Sequence, residues 1–195
     1  RLKEGEDWPQ SQRRRWRAKK DLGGEEAINA HRKTKSDKAS GLYVKTFVSD
    51  EWTLEYDLAI GPRNGAKFSG GLAEDVFIAA RLAGEDNAIN AGTKTLDKLE
   101  AEAGTEFARM KSLADARDGC TEEEVLASIV YAEFAKEGVS KAIAAQYLAE
   151  RLEKAYSKKA DELRVRLPEY LVKAIDHVTG TPKESRQASD EETSS

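Results

Sequence analysis

A chain of 195 residues with 39% hydrophobic and 35% charged side chains holds enough apolar material for a core, which excludes a wholly disordered chain. Acids outnumber bases 36 to 32, a formal charge of −4, which excludes a uniformly basic nucleic-acid coat but leaves room for a local basic patch. No run approaches the roughly 18 apolar residues of a membrane span and no signal-peptide pattern opens the chain, so no membrane partner is expected.

The chain opens Arg1-Leu2-Lys3-Glu4 and its single methionine is Met110, which reads as a chain processed or taken from the middle of a gene. Its first 38 residues carry 12 Lys and Arg against 7 Asp and Glu, so a basic front precedes an acidic remainder. Residues 1–41 lack steady periodicity and read as a long loop with short helices near Gln10–Lys20 and Glu25–Lys33. The basic residues Arg13, Arg14, Arg15, Arg17, Lys19 and Lys20 are interleaved with Trp16. Such a cluster can neutralise phosphates and stack on bases, which makes DNA a candidate partner; it also suits a solvated surface loop.

Leu42–Val48 is apolar and rich in β-branched and aromatic residues, the composition of a strand covered on both faces. A helix is expected over Glu51–Ile60, capped by Ser49 or Asp50 and stopped by Gly61-Pro62. From Leu72 the chain reads as helices: Leu72–Ala83, Thr95–Arg117, Thr121 to about Lys136 behind a capping box, one opened by Ser140, and a last one from Pro168 to Gly180. Residues 180–195 are Ser-rich and acidic and read as a disordered tail. A lone strand cannot satisfy its own backbone groups, so Leu42–Val48 is expected to complete a parallel sheet whose other strands lie upstream of Arg1. The fold class is then an α/β fragment at 42–71 followed by a mainly helical domain at 72–179, predominantly α overall.

Few residues offer chemistry. Cys120 is the only cysteine, so no internal disulfide forms and a reducing, cytoplasmic setting is expected. His31 and His177 are too few for a histidine-rich zinc site or a Ser-His-Asp triad. The stretch Asp50–Asp57 packs four acids into eight residues at the carboxyl end of the expected strand, where α/β sheets gather ligands. Hard oxygen donors at that density suit Mg²⁺ or Mn²⁺, and the same acids also make a favourable first helical turn.

Val44-Lys45-Thr46-Phe47-Val48-Ser49 followed by Thr53-Leu54-Glu55-Tyr56-Asp57-Leu58-Ala59 resembles the strand and helix near the end of the TOPRIM domain in OLD-family ATP-dependent nucleases. Val139–Ala149 is similar to the family's lysine-bearing segment, and Leu167–Leu171 with Ala174-Ile175 to its closing helix. The resemblance implies that Thr53 and Glu55 help hold a divalent metal and that Lys141 assists phosphodiester cleavage. Ala142 stands where the family has glycine, and no E-G-x-x-E, Asp-x-Asp or ATP-binding G-x-x-x-x-G-K-[ST] motif occurs in these residues. The resemblance therefore implies a TOPRIM domain and an ATPase domain begun upstream, with ATP bound only there, and a fragment inactive alone.

Lys141 carries its charge one residue inside a helix start, against the dipole, a placement at odds with local preference. The leading expectation is the carboxyl-terminal part of an OLD-like nuclease, acting on DNA as a homodimer. The alternative is a non-catalytic helical dimerisation or interaction module, and a primase- or topoisomerase-type TOPRIM protein ranks below both.

Overall fold

In the computed structural model, which describes residues 24–39, 45–49, 51–65, 67–113 and 121–180, the central element is a helix that is apolar nearly all the way round. This helix, α3 (Ala73–Gly84), buries Val76, Phe77, Ile78, Ala79, Ala80, Leu82 and Ala83, which is the pattern of a helix with neighbours on every side. It follows α1 (Gly24–Ala39), α2 (Leu54–Ile60) and a short antiparallel hairpin of β1 (Arg63–Asn64) and β2 (Lys67–Phe68), with Arg63 opposite Phe68 and Asn64 opposite Lys67. After it come α4 (Asp86–Asn90), α5 (Leu96–Ser112), α6 (Glu122–Phe134), α7 (Lys141–Tyr156), α8 (Ala160–Arg164) and α9 (Glu169–Thr179). Helices α2, α5, α6 and α7 all pack on α3, and α2 also packs on α6.

The local signals for these helices are ordinary ones. Thr121 accepts from the Glu124 N–H at 3.2 Å while the Glu124 carboxylate accepts from the Thr121 N–H at 3.0 Å, the expected capping box of α6. Ser140 caps α7 by accepting from the Ile143 N–H. Gly180 closes α9 in the left-handed conformation. The core runs as one cluster from Tyr56, Leu58 and Ile60 through Leu72, Val76 and Phe77 to Phe107, Val125 and Val130. A second cluster joins Ile78, Leu82 and Ala103. Full burial of a side chain such as Phe77 contributes about 1.5–3 kcal/mol.

Helix α2 meets α3 by direct backbone contact. The Leu72 N–H donates to the Leu58 carbonyl at 2.7 Å, and a Cβ on Gly71 would lie 2.4 Å from that same oxygen. Gly61, at φ +80°, faces Gly71 closely enough that its own Cβ would lie 2.6 Å from the Gly71 nitrogen. The Arg166 guanidinium donates to the Gly71 carbonyl at 2.6 Å and also to the Tyr156 hydroxyl, which ties the carboxyl-terminal helices to this crossing.

The predominantly helical expectation holds, with differences in detail. Helix α2 begins at Leu54 rather than Glu51, and its cap is Thr53 rather than Ser49 or Asp50. The reason is Asp57, whose carboxylate takes the backbone N–H groups of Glu51 and Trp52 and bends those residues into a turn ahead of the helix. The parallel-sheet strand expected at Leu42–Val48 is not shown. Residues 45–49 carry no strand pairing, and Leu42–Val44 lie outside the described residues. The hairpin, α4 and α8 were not foreseen, because elements of two to five residues are too short to show a period. The 10–20 helix, Cys120 and the 181–195 tail lie outside the described residues.

The glycine crossing makes a direct prediction. Gly71→Ala forces the α2 and α3 backbones apart and is expected to destabilise by about 1–3 kcal/mol. Thermal unfolding followed by circular dichroism should then show a midpoint lower by about 2–4 °C for each kcal/mol.

Candidate functional site

Three polar residues of the segment that leads into and forms α2 are placed by different forces. Thr53 is the N-cap: its hydroxyl oxygen accepts from the Tyr56 N–H at 3.4 Å. Asp57, only 1% exposed, accepts from Ser49 Oγ at 2.7 Å, from the Trp52 N–H at 2.9 Å and from the Glu51 N–H at 3.3 Å. It is a buried carboxylate satisfied by donors, and its work is to fix the turn in front of Thr53. Glu55 is also buried, and its Oε1 accepts from the Lys141 ammonium.

The Glu55–Lys141 pair joins residues 86 positions apart, one in the first turn of α2 and the other at the first residue of α7. The two residues singled out separately in the sequence are thus in direct contact. The pair is lopsided: the Glu55 side chain is 10% exposed and that of Lys141 is 56% exposed. The carboxylate is held by the fold while the cation stays open to solvent and to anything that approaches. The glutamate also answers the cost of a lysine at a helix start, because it supplies the negative charge that the helix dipole favours there.

Other inter-helix ion pairs are built differently. Arg151 of α7 bridges Asp75 of α3 and Glu100 of α5, both at 3.0 Å, with all three side chains largely shielded. Arg81 of α3 reaches Glu106 and the buried Glu133. These forks lock helices to one another. Lys141 brings a single rotatable charge and no fork, which suits exchange of one anionic partner for another.

Comparison with protein-family models, curated proteins and solved structures finds no match. The chemistry of the site rests on its own residues. Among the described residues, no three His, Cys, Asp or Glu side chains gather as an ion-binding group. One carboxylate already paired with a lysine and one hydroxyl already used as a cap fall short of the about six oxygens that Mg²⁺ or Mn²⁺ takes. These residues alone therefore do not fit a divalent ion. Glu51 precedes α2 and pairs with Arg63 at 2.8 Å, which takes it off the helix that carries Glu55. Arg13, Arg14, Arg15, Arg17, Lys19 and Lys20 lie outside the described residues.

The role of Asp57 is the feature that sequence reasoning missed. The available signal was an aspartate set inside the apolar run Tyr56, Leu58, Ala59, Ile60, where an acid survives only with buried donors.

Lys141 is placed by the anchoring of α7, which turns on Arg151, on buried Ala144 and on Tyr147, whose hydroxyl donates to Asp86 at 2.8 Å. Burial, the hydrogen bond to Asp86 and the nearby charges of Asp86 and Glu150 push the Tyr147 phenol up to about 12. The unfolded chain loses that proton first, near its ordinary value of 10.0, so stability is full below that pH and falls as pH rises toward about 12. Tyr147→Phe is expected to flatten this alkaline loss in urea unfolding measured from pH 9 upward. For the pair itself, a double-mutant cycle of Glu55→Gln and Lys141→Met should return a coupling of about 0.5–1 kcal/mol, small because the lysine is solvated.

Proposed function

We propose that this chain is the carboxyl-terminal part of an OLD-like ATP-dependent nuclease, contributing to DNA phosphodiester cleavage in the complete protein and inactive alone. One observation carries the reading. Glu55 and Lys141, assigned to the same chemistry by two separate motifs, touch across 86 residues of sequence.

In this reading α2 and its cap are the last part of a TOPRIM-type metal-binding domain, and α3 to α9 are the helical domain that delivers Lys141. Glu55 holds the Lys141 ammonium at the edge of α2 until a phosphate approaches. The ammonium then exchanges one carboxylate oxygen for a phosphate oxygen and neutralises charge that develops there during cleavage. Release of Glu55 from the lysine frees its carboxylate, and Thr53, fixed as the cap, keeps its hydroxyl beside the same helix start. Mg²⁺ or Mn²⁺, the remaining acidic ligands, the parallel sheet and the ATP-binding domain belong to polypeptide outside the described residues. The Arg13–Lys20 cluster adds contacts to the DNA backbone, and the working form is a cytoplasmic homodimer.

In the complete protein, Glu55→Ala and Lys141→Ala should each lower Mn²⁺- or Mg²⁺-dependent plasmid nicking by about 100-fold or more, with circular dichroism unchanged. Nicking at the wild-type rate by both variants would sink the assignment.

A non-catalytic helical interaction module is the second reading. It draws on Val165, Ile175 and Val178, large apolar residues left exposed, two of them one turn apart on α9. Under that reading Ile175→Ser with Val178→Ser abolishes self-association in sedimentation velocity and no nicking is seen in any variant.

A further inference from the structure

The apolar residues of α7 repeat too regularly to fix where the helix sits along its axis. Ala144, Leu148, Leu152 and Tyr156 stand four residues apart in one row. Only Ala144 is buried, and the other three pack partly buried against the main core cluster. A slide of one turn, about 5.4 Å, lays Leu148 where Leu152 was or the reverse, and alanine brings no knob to resist it. The register of α7 therefore depends on directional polar contacts.

Tyr147 and Arg151 supply such contacts from the neighbouring row. The Tyr147 hydroxyl donates to Asp86, but Asp86 belongs to the five-residue α4, which buries none of its residues and is a weak anchor. Arg151 reaches Asp75 and Glu100, both at 3.0 Å, and these acids stand on α3 and α5, which do bury side chains in the core. Asp75 lies in the first turn of α3, three residues after Leu72, whose N–H holds α2. One end of α3 thus carries α2 with Glu55 and also gauges the position of α7 with Lys141.

As a source of stability the fork is a poor choice. The Arg151 side chain is 20% exposed, those of Asp75 and Glu100 are 18% and 25% exposed, and the buried Arg151 Nε has no hydrogen-bond partner among the described residues. Shielded ionic groups are often no more stabilising than apolar side chains of similar volume, whereas a polar group beside an apolar seam is an attested device for fixing register.

We infer that Arg151 is a positioning residue for Lys141: its fork to Asp75 and Glu100 sets the register of α7 that brings the ammonium to Glu55, and adds little to stability. The effect on the pair is independent of what the pair does; the effect on cleavage rests on the nuclease reading.

The test is a zero-length crosslink. A carbodiimide joins a carboxylate to a lysine only where the two touch, so peptide mass spectrometry of the treated 195-residue chain reports the Glu55–Lys141 contact. The Glu169–Lys173 link within α9, at 2.8 Å, is the internal reference. Asp75→Leu, Glu100→Met and Arg151→Met together replace the fork by apolar side chains. This triple variant should melt at or above the wild-type midpoint by circular dichroism. Its crosslink yield should fall to about a third or less, the share left to one register among three when α7 can sit one turn either way. Arg151→Lys, whose single ammonium cannot hold both acids, should fold and lose crosslink by about twofold or more. Wild-type yield in either variant overturns the inference. So does a lowered midpoint in the triple variant together with a lost crosslink, which is what a merely structural strut would give. Nicking by the triple variant of the complete protein should fall in step with the crosslink. If the wild-type protein does not nick while the crosslink falls as stated, the nuclease reading fails and the positioning role stands.

Discussion

The contact on which the rest of the molecule depends is the backbone crossing at Gly61 and Gly71. There the end of α2 and the start of α3 approach until the Leu58 carbonyl bonds the Leu72 N–H, with no room for a side chain between them. Because α3 buries most of its residues in the core, whatever is fixed to its first turn is fixed to the core as well. Helix α2 is only seven residues long and could not hold its shape in isolation. The crossing, with the buried side chains of Tyr56, Leu58 and Ile60, makes this short helix a rigid mount for Glu55. Arg166 secures the same point from the other side of the chain, by donating to the Gly71 carbonyl.

Charge is used in two ways. The arginines at helix interfaces, Arg151 and Arg81 above all, each satisfy two acids at once, and Arg151 leaves little of its charge exposed. Pairs of that kind are expensive to break, because removing one partner strands the other in a poorly solvated place. The Glu55–Lys141 pair has one buried member and one solvated member, so its cation can leave without stranding itself.

Much of the helical part was legible in the sequence because its signals are local. The Thr121 capping box, the Ser140 cap, the Pro168 start and the Gly180 stop each act within four residues, and each appears where it was expected. The start of α2 was misplaced by three residues because the deciding group, the Asp57 carboxylate, competes from inside the helix for N–H groups ahead of it. The enclosure of α3 was also missed, since its alanines look unremarkable until neighbours cover them. Glu55 and Lys141 were each marked in the sequence, but their contact depends on how α2 and α7 are carried on α3, and no spacing encodes that.

The span of the Glu55–Lys141 contact bears on how the protein is made. One end of the pair emerges from the ribosome 86 residues before the other, and among the described residues four helices, α3 to α6, are laid down between them. Contacts of such long range form late, after the local structure that carries them. A nascent or prematurely terminated chain that stops short of α7 would display an unneutralised Glu55 and no ammonium beside it. Whatever this pair does is therefore withheld until the helical part has been synthesised and folded, and its assembly reports on the integrity of the entire bundle.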